Sequence, residues 1–362
     1  MQTKEYGRTG EQVSVVAFGG MRFQTPHDLG ASRDLVAYAH ARGINYFDTA
    51  PEYCEDRSQR IFGSILPDLP RDSFLVSTKS AEAQGERLRA QLEQSLEHLR
   101  LDRIDFFHVW CLMSLEDWQQ RLRGGAVDAA LRAQQDGLVR HVVCSSHMAG
   151  DGLTQVLDSG HFAGVTLGYN AINFPYREAA VRAAGQRGVG VVAMNPLSGG
   201  LIPQNPERFA FLRRTEDPSV VAGALRFVIS DPDVTAALVG FSRLEEVDVA
   251  VAVGTETYAD AMALQQELRG HLDEAFDDVC TGCQYCLPCP EGIDVPKYMD
   301  VYNAMRLGGG DPQQALARFR WHWQIAEDHA SRCTGCGDCE ARCTQHLDII
   351  ERLRELPPPA RR

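Results

Sequence analysis

Eight short apolar runs, rich in β-branched and aromatic residues, alternate with helical patterns from residue 13 to residue 256. They are "VSVVAFGG" (13–20), "INYFDTA" (44–50), "FLVSTK" (74–79), "IDFFHVW" (104–110), "VRHVVCSS" (139–146), "GVTLGYN" (164–170), "GVGVVAMNP" (188–196) and "VTAALVGFS" (234–242). Between them lie segments with apolar residues at helical spacing, such as "ASRDLVAYAHARG" (31–43), "GERLRAQLEQSLEHLR" (85–100) and "SVVAGALRFVIS" (219–230). Gly43, Gly137 and Gly188 close three helical segments where a left-handed residue is needed. Nearly continuous apolar strands are buried on both faces, which is the condition of a parallel sheet. Eight such units predict an α/β fold of the closed (β/α)8 barrel type; an open doubly wound sheet is the alternative. The stretch "TKEYGRTGEQVSVV" reads as a hairpin closing the barrel bottom, and residues 199–217 as a long loop after the seventh strand.

In such a barrel the chemistry sits at the C-terminal ends of the strands. Asp48 ends the second run, with Tyr53 just beyond it; Lys79 ends the third, and His108 lies in the fourth. A tyrosine exchanges its proton poorly at neutral pH, because its ordinary pKa is about 10. A lysine ammonium beside it stabilises the phenolate, and an aspartate holds that lysine charged and in place. A neighbouring histidine can hydrogen-bond a substrate carbonyl oxygen. The competing reading is structural: a buried Asp–Lys pair and a hydrogen-bonded strand-end histidine.

Eight of the 11 cysteines fall in the last quarter of the chain. "CTGCQYCLPCP" carries Cys280, Cys283, Cys286 and Cys289, followed by Pro290; "CTGCGDCEARCT" carries Cys333, Cys336, Cys339 and Cys343, followed by Thr344. The second run has the C-x2-C-x2-C-x3-C spacing of bacterial ferredoxins, and the first is one residue shorter before its last cysteine. Zinc sites use pairs of Cys-x2-Cys, whereas triple runs with a fourth partner suit [4Fe–4S] clusters. The fourth cysteine of each run ligates the other cluster in two-cluster ferredoxins. The expected sets are therefore Cys280, Cys283, Cys286 and Cys343 for one cluster, and Cys333, Cys336, Cys339 and Cys289 for the other. The intervening segment reads as helices broken at "LGGGDP", which points to a helical ferredoxin-like domain. The expected domains are a barrel over 1–274, a cluster domain over 275–356 and a disordered tail over 357–362. Cys54, Cys111 and Cys144 fall in the barrel as bystander thiols, and Trp110 and Trp118 are candidates for shaping a pocket.

"GGMRF", "NYFDTAPEY", "VSTK", "DFFHVW", "NPLSGGLI" and "GFSRLEEV" follow one another over residues 19–247. Together with the cysteine runs they resemble the aldo-keto reductases, in the branch with a C-terminal two-cluster extension. The resemblance implies the tetrad Asp48, Tyr53, Lys79 and His108, with Tyr53 as general acid and base. It also implies a nicotinamide cofactor laid across the strand ends. Gly20, Met21, Ser145, Asn170, Pro196, Leu197, Gly200, Gly240, Ser242, Arg243 and Glu246 match positions that would contact it. Arg243 would meet a 2′-phosphate, which favours NADP(H) over NAD(H). The chain departs from the family at "CSSH", where Ser146 and His147 replace the usual Ser-Asn. It departs again at Thr166, where a glutamine is usual, and at Met194 and Asn195, where an aromatic usually stacks on nicotinamide.

These readings describe an oxidoreductase that reduces a carbonyl, or runs the reverse oxidation, on a small-molecule substrate. Two [4Fe–4S] clusters carry one electron at a time and nicotinamide carries two, so a flavin between them stays open, as does an external ferredoxin or flavodoxin as electron partner. One alternative is one-electron reductase or dehydratase-type chemistry fed by the clusters without nicotinamide. Another is a non-catalytic redox-sensing module. A net charge of −13 with no Lys/Arg-rich run argues against nucleic acid. No apolar run approaches the ~18 residues of a membrane span, so a cytoplasmic protein is expected, where dense cysteines serve metals before disulfides.

Overall fold

The computed structural model describes residues 1–148, 150–256, 258, 261–269, 279–307, 310–323, 325 and 327–357. The chain divides into two compact units: Met1–Leu197 with Ile202–Asp273, and Ser198–Leu201 with Glu274–Arg362. The expected tail lies, from residue 358 onward, outside the described residues.

The first unit opens with an antiparallel hairpin, β1 (Thr3–Glu5) and β2 (Gln12–Ser14). Eight parallel strands follow: β3 (Val16–Gly19), β4 (Tyr46–Asp48), β5 (Leu75–Ser80), β6 (Ile104–Leu112), β7 (Val139–Ser146), β8 (Gly164–Gly168), β9 (Gly190–Met194) and β10 (Ala236–Val239). They close in sequence order, β10 pairing with β3, so the sheet is a barrel and the open-sheet alternative is excluded. Each of the eight apolar runs became one of these strands.

Helices cover the outside. Gly85–Leu99 turns Leu88, Leu92, Ser95 and Leu99 inward at three- and four-residue spacing and ends at Arg100 in the left-handed region. Val220–Ser230 starts at Ser219, whose hydroxyl accepts from the Ala222 amide. The long loop after β9 is broken into short turns, Ser198–Gly200, Leu201–Gln204 and Ala210–Leu212. Of the expected helix after residue 257, Ala261–Arg269 is described.

Tyr6, Val13, Ala17, Tyr46, Leu75, Phe106, Val143, Val192 and Ala236 fill the barrel interior. Tyr6 comes from the hairpin and plugs the bottom, its ring 4.3 Å from that of Phe106. Gly164 and Gly190 make room for it: a Cβ on either would lie 2.1 or 2.4 Å from a Tyr6 ring atom. Lys4 fastens the hairpin by donating to the carbonyls of Ile229 (2.8 Å), in the last turn of the helix Val220–Ser230, and of Asp231 (2.8 Å) and Val234 (2.7 Å) at and past its C-terminus.

The second unit is helical. Val295–Leu307, Pro312–Ala317, the wider-wound Arg318–Trp323, Asp338–Ala341 and Ile349–Glu355 surround Ile293, Tyr298, Met299, Phe319, Leu347 and Leu353. Cys339 and Cys343 belong to this core, and Cys280, Cys286, Cys289 and Cys333 pack against it.

Candidate active site and cluster cavities

Parallel register decides which strand residues share the top of the barrel interior. Asp48 pairs with Ser77, Lys79 with His108, His108 with Val143, and Ser145 with Thr166. Residues two apart on a strand face the same way. Val143 belongs to the interior, so Asp48, Ser77, Lys79, His108, Ser145 and Thr166 all point inward above it. Every one of them is buried.

Lys79 Nζ lies 2.5 Å from Asp48 Oδ1 and donates at 2.8 Å to the Thr49 carbonyl. Ser77 Oγ donates to the same Asp48 oxygen at 2.5 Å. Nε2 of His108 is 3.9 Å from that oxygen. Burial lowers the Lys79 pKa, while Asp48 acts in the opposite direction. Burial, and next the Lys79 charge, hold His108 well below its ordinary range, although the Cys144 backbone opposes them. The imidazole is therefore neutral at pH 7, and neither ring nitrogen meets a partner of hydrogen-bonding geometry among the described residues.

Tyr53 sits half-buried in the turn after β4, with its ring centroid 5.4 Å from Lys79 Nζ. The edge of Trp110 meets it at 5.8 Å and 82°. The turn is strained: Glu52, Cys54, Glu55 and Asp56 all have positive φ, between 54° and 68°. It is held by Arg57 and Ser58 amides donating to the Tyr53 carbonyl and by a 2.7 Å Thr49–Ser58 hydroxyl contact. A register shift between Val109 and Leu112 ends β6 with Cys111 at φ 59°, next to Trp110.

The other expected cofactor contacts divide in two. Ser145 Oγ accepts from the Cys111 amide at 2.9 Å and keeps its own proton to donate. Its register partner Thr166 has a buried hydroxyl without a partner among the described residues. These two hydroxyls fit the donors and acceptors of a carboxamide. Arg243 is exposed, with Glu246 at 3.2 Å, and Glu246 also takes the Ser242 amide and hydroxyl. By contrast, the Asn170 amide is committed within the protein, donating to the Asn195 carbonyl just past β9 and accepting from the Ile172 and Asn173 amides of its own loop. The Gly20 amide bonds the Asp48 carbonyl at 2.8 Å, and its bare face meets Phe62 and Ser58. Met21 follows it, half-buried. Gly240 leaves space that Arg22 occupies. Pro196 and Leu197 end the first stretch of the barrel unit, whereas Gly200, at φ 102°, belongs to the second unit.

Sequence reasoning missed Ser77 and the Thr49 carbonyl. The signal for Ser77 was its place two residues before Lys79, on the same strand face.

In the second unit the eight cysteines gather around two cavities. One, of about 330 Å³, is lined by Cys280, Cys283, Cys286 and Cys343, with Met299 and Leu347. The other, of about 370 Å³, is lined by Cys289, Cys333, Cys336 and Cys339; Cys286 forms part of the wall it shares with the first. Each cavity is thus lined by three cysteines of one run together with cysteine from the other, Cys343 in the first and Cys286 and Cys289 in the second. Asn303 clamps Cys280, accepting from its amide at 3.1 Å and donating to its carbonyl at 2.8 Å. Burial raises the thiol pKa of Cys280 and Cys343 and pushes that of Cys286 up to about 12. Bare thiolates are costly there, and bound iron offsets that cost. Donor type, grouping and cavity all fit a pair of iron–sulfur clusters.

Residues 15–265 match the Aldo/keto reductase family, and residues 279–347 match a 4Fe-4S dicluster domain. L-galactose dehydrogenase of Arabidopsis thaliana is 25% identical over 311 residues, covering 77% of this chain and 95% of that protein. D-threo-aldose 1-dehydrogenase of a Pseudomonas species is 24% identical over 257 residues, covering 56% and 76%. Among solved structures, the holo form of a Bacillus halodurans aldo-keto reductase has a TM-score of 0.67 at 20% identity, covering 76% of this chain and 97% of that one. An aldo-keto reductase from Klebsiella pneumoniae in complex with NADPH has a TM-score of 0.62 at 18% identity, covering 75% and 96%. No helix among the described residues is long and apolar enough to cross a membrane. The chain belongs to the aldo/keto reductase family, as an oxidoreductase that joins the family's barrel to a 4Fe-4S dicluster domain.

Proposed function

We propose that the barrel interconverts an alcohol and a carbonyl with a nicotinamide nucleotide, and that the two cysteine cavities hold [4Fe–4S] clusters. The observation that carries this reading is the buried Asp48–Lys79 pair beneath Tyr53, beside a neutral His108. In the reducing direction the substrate oxygen accepts from the Tyr53 hydroxyl and from the one N–H of His108. Nicotinamide, when bound, supplies the hydride to carbon. Tyr53 gives its proton to the developing alkoxide, and the Lys79 ammonium steadies the phenolate left behind. Asp48 keeps Lys79 charged, and Ser77 fixes Asp48. In the oxidising direction the same groups run in reverse.

Two relatives are named for aldose dehydrogenation. The substrate class proposed here is accordingly a small polyhydroxylated carbonyl or hemiacetal, with Trp110 as an aromatic wall beside Tyr53. Ser145 and Thr166 would meet the carboxamide. Arg243 would pair with a 2′-phosphate, giving preference to NADP(H). The proposed cluster sets are Cys280, Cys283, Cys286 with Cys343, and Cys333, Cys336, Cys339 with Cys289; the lining of each cavity by cysteines of both runs supports them. When bound, the clusters carry single electrons, exchanged with an external carrier such as a ferredoxin or flavodoxin. Exposed Cys336 puts the second cavity nearest to solvent.

The test is anaerobic turnover of the cluster-loaded protein on a panel of aldoses with NADP+ and NAD+, beside Tyr53→Phe. Turnover that Tyr53→Phe cuts by about 100- to 10,000-fold is expected. Substrate reduction that needs a one-electron donor and ignores both nucleotides would overturn the nicotinamide reading.

A further inference from the structure

The two cysteine runs end differently. Cys289 is followed by Pro290, which has neither an amide hydrogen nor a hydroxyl; Cys343 is followed by Thr344. Thr344 is fully buried, and its Oγ1 lies 3.4 Å from the sulfur of Cys283, a residue of the other run in the same cavity. Nε2 of Gln345 lies 3.2 Å from the Thr344 carbonyl and 3.4 Å from the same hydroxyl oxygen. That nitrogen can only donate, so the hydroxyl keeps its own hydrogen, and the sulfur is within its reach. A cysteine sulfur bound to iron carries no proton and can only accept.

We propose that Thr344 is a redox-tuning residue, its hydroxyl donating to Cys283 and raising the reduction potential of the cluster in the Cys280/Cys283/Cys286/Cys343 cavity alone. A donor on a cluster sulfur withdraws negative charge and favours the state with one more electron. The same cavity has backbone donors as well: the Gly282 amide reaches Cys280 Sγ at 3.4 Å and the Leu347 amide reaches Cys343 Sγ at 3.4 Å. At least three of its four sulfurs thus have a hydrogen-bond donor among the described residues. The amides come with the backbone, whereas the hydroxyl is a choice of side chain. It makes the two clusters inequivalent, so that an electron entering the pair rests preferentially on one of them. The inference rests on the ligand sets proposed above.

The experiment is a potentiometric titration of the cluster-loaded full chain under anaerobic conditions, followed by electron spin resonance. Cys283→Ser and Cys289→Ser mark which transition belongs to which cavity. Thr344→Val, of nearly the same shape, is expected to shift the Cys283-marked transition to lower potential and leave the other in place. Thr344→Ser is expected to stay near the native value. Unmoved transitions in Thr344→Val, or an equal shift in Thr344→Ser, overturn the role of the hydroxyl while leaving the ligand sets standing. A shift in the Cys289-marked transition overturns both the role and the ligand sets. Should Thr344→Val fail to take up iron, Gln345→Leu is read instead. A smaller shift in the same sense and the same transition supports the proposal, and no shift overturns it.

Discussion

Tyr53 owes its chemistry to three neighbours that are far apart in sequence. Lys79 lies against its ring, Asp48 holds Lys79, and Ser77 holds Asp48. Tyr53→Phe should cut turnover by about 100- to 10,000-fold, with nucleotide binding retained; steady-state kinetics beside calorimetry will show it. Ser77→Ala removes a donor to a buried carboxylate, and should lower kcat through Asp48 and destabilise the fold by about 1–3 kcal/mol, measured by denaturant titration. His108 gives a pH prediction. Its folded pKa is depressed, so below the ordinary value of 6.5 the unfolded chain takes up the proton first. Stability therefore falls as pH drops from 6.5 toward the folded pKa, and His108→Gln should make that slope shallower. For the same reason the kcat/KM profile should show no inflection from His108 near its ordinary pKa. Asp48, Lys79 and His108 could be picked out in the sequence as ionisable residues at strand ends, and the fold brings them together with Tyr53; their catalytic roles belong to the proposal. The place of Ser77, the inward-facing Thr166 hydroxyl and the committed Asn170 amide could not be read, because hydrogen-bond partners follow from register and loop closure rather than from residue type.

At the scale of elements, the barrel was legible because parallel strands buried on both faces leave an unbroken apolar signature. The plug was only half legible. The N-terminal hairpin could be read, but not that Tyr6 fills the bottom or that Gly164 and Gly190 are small to admit it. Gly164→Ala should cost about 1–3 kcal/mol by overpacking against that ring, seen as a lowered Tm. Lys4 works from the same hairpin. Burial pushes its pKa down to about 8, with Asp231 and Asp233 opposing. Between that value and 10.5 the unfolded chain holds the extra proton, so this residue's contribution makes stability rise with pH across that window. Lys4→Met should remove that rise, and should cost about 2 kcal/mol at neutral pH by leaving carbonyl acceptors unpaired. In the second unit the spacing of the cysteines led to the expectation of a shared fourth cysteine, and both cavities are lined by cysteines of the two runs, which supports the proposed sets. The meaning of Thr344 was not readable, since it depends on a sulfur 61 residues away in the chain.

The molecule as a whole joins an aldo/keto reductase barrel to a 4Fe-4S dicluster domain, which the proposed function reads as a two-electron site beside a pair of one-electron carriers. The two units keep separate cores, so loss of a cluster ligand should leave the barrel folded. Cys289→Ser should lose or alter one cluster and spare the other, read by iron content and electron spin resonance. The central claim is that the barrel takes a nicotinamide nucleotide over the tetrad. The measurement that tests it most directly is an anaerobic calorimetric titration of the cluster-loaded protein with NADPH, repeated with NADH and with Tyr53→Phe. The account predicts micromolar binding of NADPH, weaker binding of NADH, and NADPH affinity unchanged in Tyr53→Phe. Absence of binding by either nucleotide would contradict it and would leave the tetrad to polarise a substrate reduced one electron at a time.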